Sequence, residues 1–158
     1  MSDPINIIDY RDEFYLKLYR RWLIVSILGL NRKKEQILTI QKGAFFDFLI
    51  KNPKIAHAFL VKFNRLNQSS PIKETLYSSN IDYGASQEHR DFLQSMLILE
   101  RNGFVHITKS GQDFFVSATD LEMKKTETLT ESWKLNIELL KPVVGKSLNV
   151  LQKSILGD

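Results

Sequence analysis

The sequence contains 158 residues, of which 43% are hydrophobic and 25% are charged. These proportions are ordinary for a globular protein and exclude a wholly disordered chain. No apolar run approaches the roughly 20 residues that span a membrane, and the acidic first residues are unlike a secretory signal. The chain has no cysteine, which excludes disulfides and thiol catalysis and favours a cytoplasmic protein.

The net charge of +4 hides a concentration of positive charge in one segment. Residues 17–73 carry twelve Lys or Arg against two acids, a net of +10, whereas the segments on either side each carry −3. Such a segment favours phosphate backbones or acidic protein surfaces. The alternative is a solvated helix face. The candidate residues for binding DNA or an acidic partner are Lys17, Arg20, Arg21, Arg32, Lys33, Lys34 and Lys42.

The first half of the chain has the pattern of three helices. Apolar residues recur at helical spacing over 12–28, and a short cationic loop at 32–34 follows. Residues 37–40 suit a small strand or the entry to a helix, which Thr39 would cap. Asn52 precedes a proline and ends this helix, and Pro53 begins the next one at about 53–64. The composition of residues 66–86 predicts a loop.

The second half combines helices with a hairpin. A helix over 87–101 ends at Asn102-Gly103, and residues 104–108 and 114–117 have the composition of paired strands. Thr108 could instead cap a helix that begins at residue 109, but we favour the hairpin. A helix is expected over 120–141, and Pro142 starts or kinks a last one.

The last helix carries an apolar seam formed by Val144, Leu148, Leu151 and Ile155. This seam either packs on the same domain or docks a partner helix. The chain therefore divides into an N-terminal tip at 1–11, a domain at 12–118 and C-terminal helices at 119–158.

The order of these elements predicts a mainly helical α+β fold, a winged-helix domain with extra C-terminal helices. A helix that ends in Asn-Gly and leads directly into a two-stranded hairpin is how such a domain presents its wing. The helix 87–101 would then hold the recognition position. It carries two arginines against three acids, however, which is a poor composition for insertion into the major groove.

No catalytic, cofactor or metal site is predicted, and we expect a protein that is not an enzyme. The three histidines are far apart and form no ligand motif. Asp113 with Glu122-Met123-Lys124 loosely matches the carboxylate pattern of a magnesium nuclease, but Glu122 falls where a helix is expected. Gly145-Lys146-Ser147 lacks the glycine that a phosphate-binding loop requires five residues earlier.

Two stretches resemble a known family. They are Arg21 to Leu60, which contains Phe46-Asp47-Phe48-Leu49-Ile50-Lys51-Asn52-Pro53, and Leu93 to Val116, which contains Leu99-Glu100-Arg101-Asn102-Gly103-Phe104-Val105. Together they are similar to the small middle component of ABC-type three-component systems, which include the Lamassu-type antiphage systems of bacteria. The similarity covers residues 12–120 and consists of diffuse patterns without catalytic signatures.

The resemblance implies a winged-helix subunit between two other proteins. One is an SMC-type ABC ATPase, and the other is an effector, commonly a nuclease. The subunit would bridge the two without catalysis, and would help the antiphage or anti-plasmid complex to sense DNA. The alternative function is a stand-alone, dimeric winged-helix transcriptional regulator.

Overall fold

The computed structural model describes residues 10–62, 85–124 and 129–156. Most of the predicted N-terminal tip and of the predicted loop at 66–86 lies outside these ranges. Within them the protein is a mainly helical α+β structure with one two-stranded antiparallel sheet. No helix in this part of the chain has both the length and the apolar character needed to cross a membrane.

The first three helices are α1 (Tyr10–Leu28), α2 (Ile40–Lys51) and α3 (Pro53–Lys62). The predicted cap of α2 is confirmed, because the Thr39 hydroxyl accepts a hydrogen bond from the backbone N–H of Lys42 at 3.1 Å. Asn52 separates α2 from α3 with φ −128° and ψ 76°. The proline that follows it disfavours the helical conformation at this position.

Helix α4 (Ala85–Arg101) leads into strands β1 (Val105–Ser110) and β2 (Asp113–Ala118). Gly103 and Gly111 have φ of +84° and +65°, the left-handed conformation that glycine adopts without strain. Strands β1 and β2 pair antiparallel from Val105 opposite Ala118 to Ser110 opposite Asp113. The hairpin is therefore confirmed, and the alternative of a helix starting at residue 109 is wrong. The segment before α2 runs beside β2, because Val116 N–H donates to the Leu38 carbonyl at 2.9 Å.

The C-terminal part contains α5 (Leu129–Leu139), a 3₁₀ turn (Lys141–Val143) and α6 (Leu148–Leu156). The helix predicted over 120–141 is too long at its start, since residues 120–124 are not helical. There the Thr119 hydroxyl donates to the Gly103 carbonyl at 2.6 Å, which holds the segment against the exit of α4. Pro142 lies within the 3₁₀ turn.

One hydrophobic core joins all these elements. Its centre contains three phenylalanines: the ring of Phe45 lies 5.7 Å from both Phe46 and Phe59. The C-terminal elements contribute to the same core through Ile137, Leu140, Val143, Val144 and Leu151. Residues 129–151 therefore pack on the domain that precedes them.

Candidate interaction surfaces

Two of the predicted DNA-binding arginines lie inside the protein. Arg21 is 2% exposed, and its Nε donates to Asp47 Oδ2 at 3.0 Å. Arg20 Nε donates to the other carboxylate oxygen of Asp47 at 2.6 Å. Lys51 Nζ lies 3.9 Å from the same carboxylate. The prediction that Arg20 and Arg21 form a DNA-binding surface is therefore corrected, because both are bound to a buried acid.

The cluster joins three helices through Arg21. Its guanidinium also donates to the Asp91 carbonyl at 3.0 Å and to the Ser95 hydroxyl at 2.7 Å. Burial alone would raise the pKa of Asp47, but the positive charges of Arg20 and Arg21 and the hydrogen bond from Arg20 outweigh it and lower the pKa. The carboxylate is therefore charged and holds α1, α2 and α4 together.

The other predicted cations divide into two groups. Lys42 is half-buried and donates to the Val144 carbonyl at 2.9 Å, and burial lowers its pKa against the opposing effect of Asp113. Lys17 is also half-buried, with its Nζ 5.7 Å from the centre of the Phe14 ring. The exposed members of the predicted set are Arg32, Lys33 and Lys34.

These three cations lie on an ordered loop between α1 and α2. The side-chain oxygen of Asn31 accepts hydrogen bonds from the backbone N–H groups of Lys33 and Glu35, both at 2.9 Å. The Asn31 side chain also donates to the Glu35 carboxylate at 2.8 Å. Of the predicted basic set, only the three cations on this loop are exposed.

The predicted docking seam is largely internal. Val144 and Leu151 are completely buried, and Leu148 packs against the core. The Ile155 side chain lies outside the described residues. The prediction that the seam docks a partner is therefore corrected for Val144 and Leu151, because their apolar surface is already covered by this domain.

A different apolar surface lies on the outer side of α4. Phe92, Ser95, Met96 and Leu99 face inward, which leaves the opposite side to solvent. There Leu93 and Leu97 are 38% and 51% exposed. Phe114 on the hairpin is 47% exposed. Leu93 and Phe114 line one groove of about 360 Å³.

Two charged residues flank these leucines at matched spacing. Arg90 lies three residues before Leu93, and Glu100 lies three residues after Leu97. Since positions three and four apart share one side of a helix, the four residues form a continuous α4 stripe. Both end residues are exposed, and one oxygen of Glu100 accepts from the backbone N–H of Ile107 at 3.1 Å.

A second exposed apolar surface lies on α5. Leu135 is 64% exposed and Leu139 is 42% exposed, and their four-residue spacing makes them neighbours on the helix. We call these two residues the α5 pair. The α4 stripe and the α5 pair therefore lie on different helices, both of which pack on α1.

A cavity of about 420 Å³ lies between α1, α5 and the segment before α5. Its lining includes Trp22 and Ser26 on one side and Glu122 and Lys134 on the other. The buried Nε1 of Trp22 has no hydrogen-bond partner within the described ranges. This is an unpaired donor of the kind that ordered water satisfies in proteins.

The described residues contain no group of three or more histidine, aspartate or glutamate side chains placed to hold a metal ion. Asp113, at the groove beside α4, and Glu122, at the cavity beside α1, line separate depressions. The chain was compared with models of protein families, with curated proteins and with solved structures, and none of the three comparisons finds a match.

Proposed function

We propose that this protein is a non-catalytic, cytoplasmic bridging subunit with a winged-helix fold. The complex would be an antiphage or anti-plasmid assembly that contains an SMC-type ATPase and an effector, as the sequence resemblance implies. Support for the fold comes from α4 leading directly into the hairpin, and from the segment at Leu38 lying beside β2.

One observation carries the bridging role: the protein exposes two separate apolar surfaces, the α4 stripe and the α5 pair. Single exposed apolar residues are common on any protein. Adjacent ones on one helix side favour a docking site. A subunit that holds other molecules together needs at least two such attachment points. The α4 stripe is also unlike a typical DNA-reading surface, since two exposed leucines stand between Arg90 and Glu100, and of the exposed polar groups nearby only Arg90 and Gln94 are of base-contacting type.

The test is co-purification of the tagged chain with the products of its neighbouring genes. The wild type is expected to recover an ATPase and an effector at fixed stoichiometry. Leu135→Asp should release one component because it places a charge in the α5 pair. Val150→Asp is the matched control, since Val150 is an exposed apolar residue on α6 at 46% exposure. If the Leu135→Asp protein still recovers both components, the α5 pair is not an attachment point.

The DNA contact that the resemblance implies would use the loop at 31–36. Reversing Arg32 and Lys33 to glutamate should weaken DNA binding by the assembled complex. If each contacts one phosphate, the slope of log affinity against log salt should fall by about two. An unchanged slope would exclude a direct contact by this loop.

A further inference from the structure

The α4 stripe is complementary to itself. Read along the helix, it presents a positive, an apolar, an apolar and a negative side chain: Arg90, Leu93, Leu97 and Glu100. The intervals between them are three, four and three residues, which is the same in both directions. Spacing of this kind is the repeat by which two helices pack side by side.

We infer that the α4 stripe binds a second copy of this chain, with the two α4 helices antiparallel. In a two-fold symmetric contact each residue meets its counterpart in reverse order. A two-fold axis that crosses the exposed side of α4 at the level of residue 95, midway between the two leucines, places Leu93 against Leu97 of the second copy. The same axis places Arg90 against Glu100 of the second copy, so two leucine contacts and two ion pairs form together.

The surroundings of the stripe are compatible with this pairing. Neither Arg90 nor Glu100 has an ion-pair partner within the described ranges. Only one oxygen of the Glu100 carboxylate is used by Ile107, which leaves the other for an arginine. Phe114 adds exposed apolar surface beside Leu93. A parallel pairing would instead place Arg90 against Arg90, which is unfavourable.

The inference rests on the proposed role of the α4 stripe as an attachment point, and it names the occupant. Two chains joined in this way would offer two α5 pairs to other components. A standard protein–protein interface buries at least about 1,200 Å², and a single pair of helices buries less than this. The association is therefore expected in the micromolar range or weaker, and stronger where the complex holds two copies close together.

The experiment is sedimentation of the purified full chain from micromolar to millimolar concentration. The wild type should form a dimer as concentration rises. Arg90→Glu and Glu100→Arg, each alone, should raise the dissociation constant at least about tenfold through like-charge contacts. The double variant should restore the dimer. Lys33→Glu, with the same change of charge on an exposed loop outside α4, should behave as the wild type.

Orientation is tested by disulfide formation, for which the absence of cysteine from the chain is an advantage. A mixture of Leu93→Cys and Leu97→Cys proteins should cross-link faster between the two variants than either does with itself. A monomer at all concentrations, or a dimer indifferent to Arg90→Glu, would overturn the inference. If Leu135→Asp still releases a component in that case, the proposed function stands without it.

Discussion

Replacement of Asp47 by asparagine should cause a large loss of stability, because this carboxylate neutralises two arginines inside the protein. Arg21 is 2% exposed and Asp47 is 1% exposed, so solvent cannot take over the role of the missing charge. Removing one partner of a buried ion pair typically destabilises a protein by about 3–5 kcal/mol.

The structure favours the lower end of that range. Arg21 retains its hydrogen bonds to the Asp91 carbonyl and to Ser95 after the substitution. The Arg20 side chain is 12% exposed and can move towards water. A loss of about 3 kcal/mol corresponds to a fall in melting temperature of about 6–12 °C for a chain of this size.

Chemical and thermal denaturation of the two proteins measure the difference. Glu35→Gln is the matched control, because Glu35 is the other acid among residues 17–73 and lies exposed on a loop. Its replacement should change stability by less than about 0.5 kcal/mol. The variant Asp47→Asn/Arg21→Met should recover part of the loss, since it removes both charges. A loss below about 1 kcal/mol for Asp47→Asn would refute the buried cluster as a stabilising element.

Three further predictions concern the core. Gly43→Ala should destabilise the fold by about 1–3 kcal/mol, measured by denaturation, because the new methyl group would overlap the buried ring of Phe92. Leu151→Asp should unfold the protein, as seen by circular dichroism, whereas Val150→Asp on the exposed side of the same helix should leave it folded. The pKa of Asp47 is lower in the folded than in the unfolded chain. Its contribution to stability is therefore complete above the unfolded value of about 3.9 and is lost as the pH falls through the folded pKa. Stability measured against pH should decline less steeply in acid for Asp47→Asn than for the wild type, and equal slopes would contradict this assignment.

Local signals in the sequence were sufficient for most element boundaries. The cap at Thr39, the break at Asn52 and the exit at Gly103 each depend on the conformational preference of one residue. The structure has all three. Residues 120–124 are not helical, because tertiary hydrogen bonds hold both ends of this segment: Thr119 bonds to the carbonyls of Gly103 and Phe104, and the Lys124 carbonyl accepts from the Tyr15 hydroxyl. Such contacts between distant residues leave no periodic pattern in the sequence.

The predicted interaction residues failed for a related reason. Arg20 and Arg21 lie on the polar side of α1 by spacing, but their partner, Asp47, is 27 and 26 residues away, respectively. One signal could have identified it, because Asp47 is the single acid within the apolar run from Ala44 to Ile50. An acid in such a run requires a buried cation, and nearby arginines are the natural candidates.

Apolar periodicity in the sequence shows which side of a helix is apolar, but not whether the same domain or a partner covers it. The seam at 144–155 has helical spacing, and the structure covers two of its residues with the core. Helix α4 carries more apolar side chains than its buried side uses. Phe92, Met96 and Leu99 are buried, whereas Leu93 and Leu97 are exposed. The apolar pattern therefore does not distinguish the two helices: Leu93 and Leu97 are exposed, whereas Val144 and Leu151 of the predicted docking seam are buried.

The α4 stripe also distinguishes between the two candidate functions, a bridging subunit and a transcriptional regulator. In a winged-helix regulator, the helix before the hairpin enters the major groove, where it needs exposed hydrogen-bonding side chains. The exposed side of α4 carries Leu93 and Leu97 beside the polar Arg90 and Gln94, and pairing with a second copy would occupy that side of the helix. A dimer formed through α4 therefore could not read DNA with α4. If Leu97→Asp abolished a sequence-specific DNA complex while the chain remained monomeric, α4 would be a DNA-reading helix and the transcriptional regulator would be the better description of the protein.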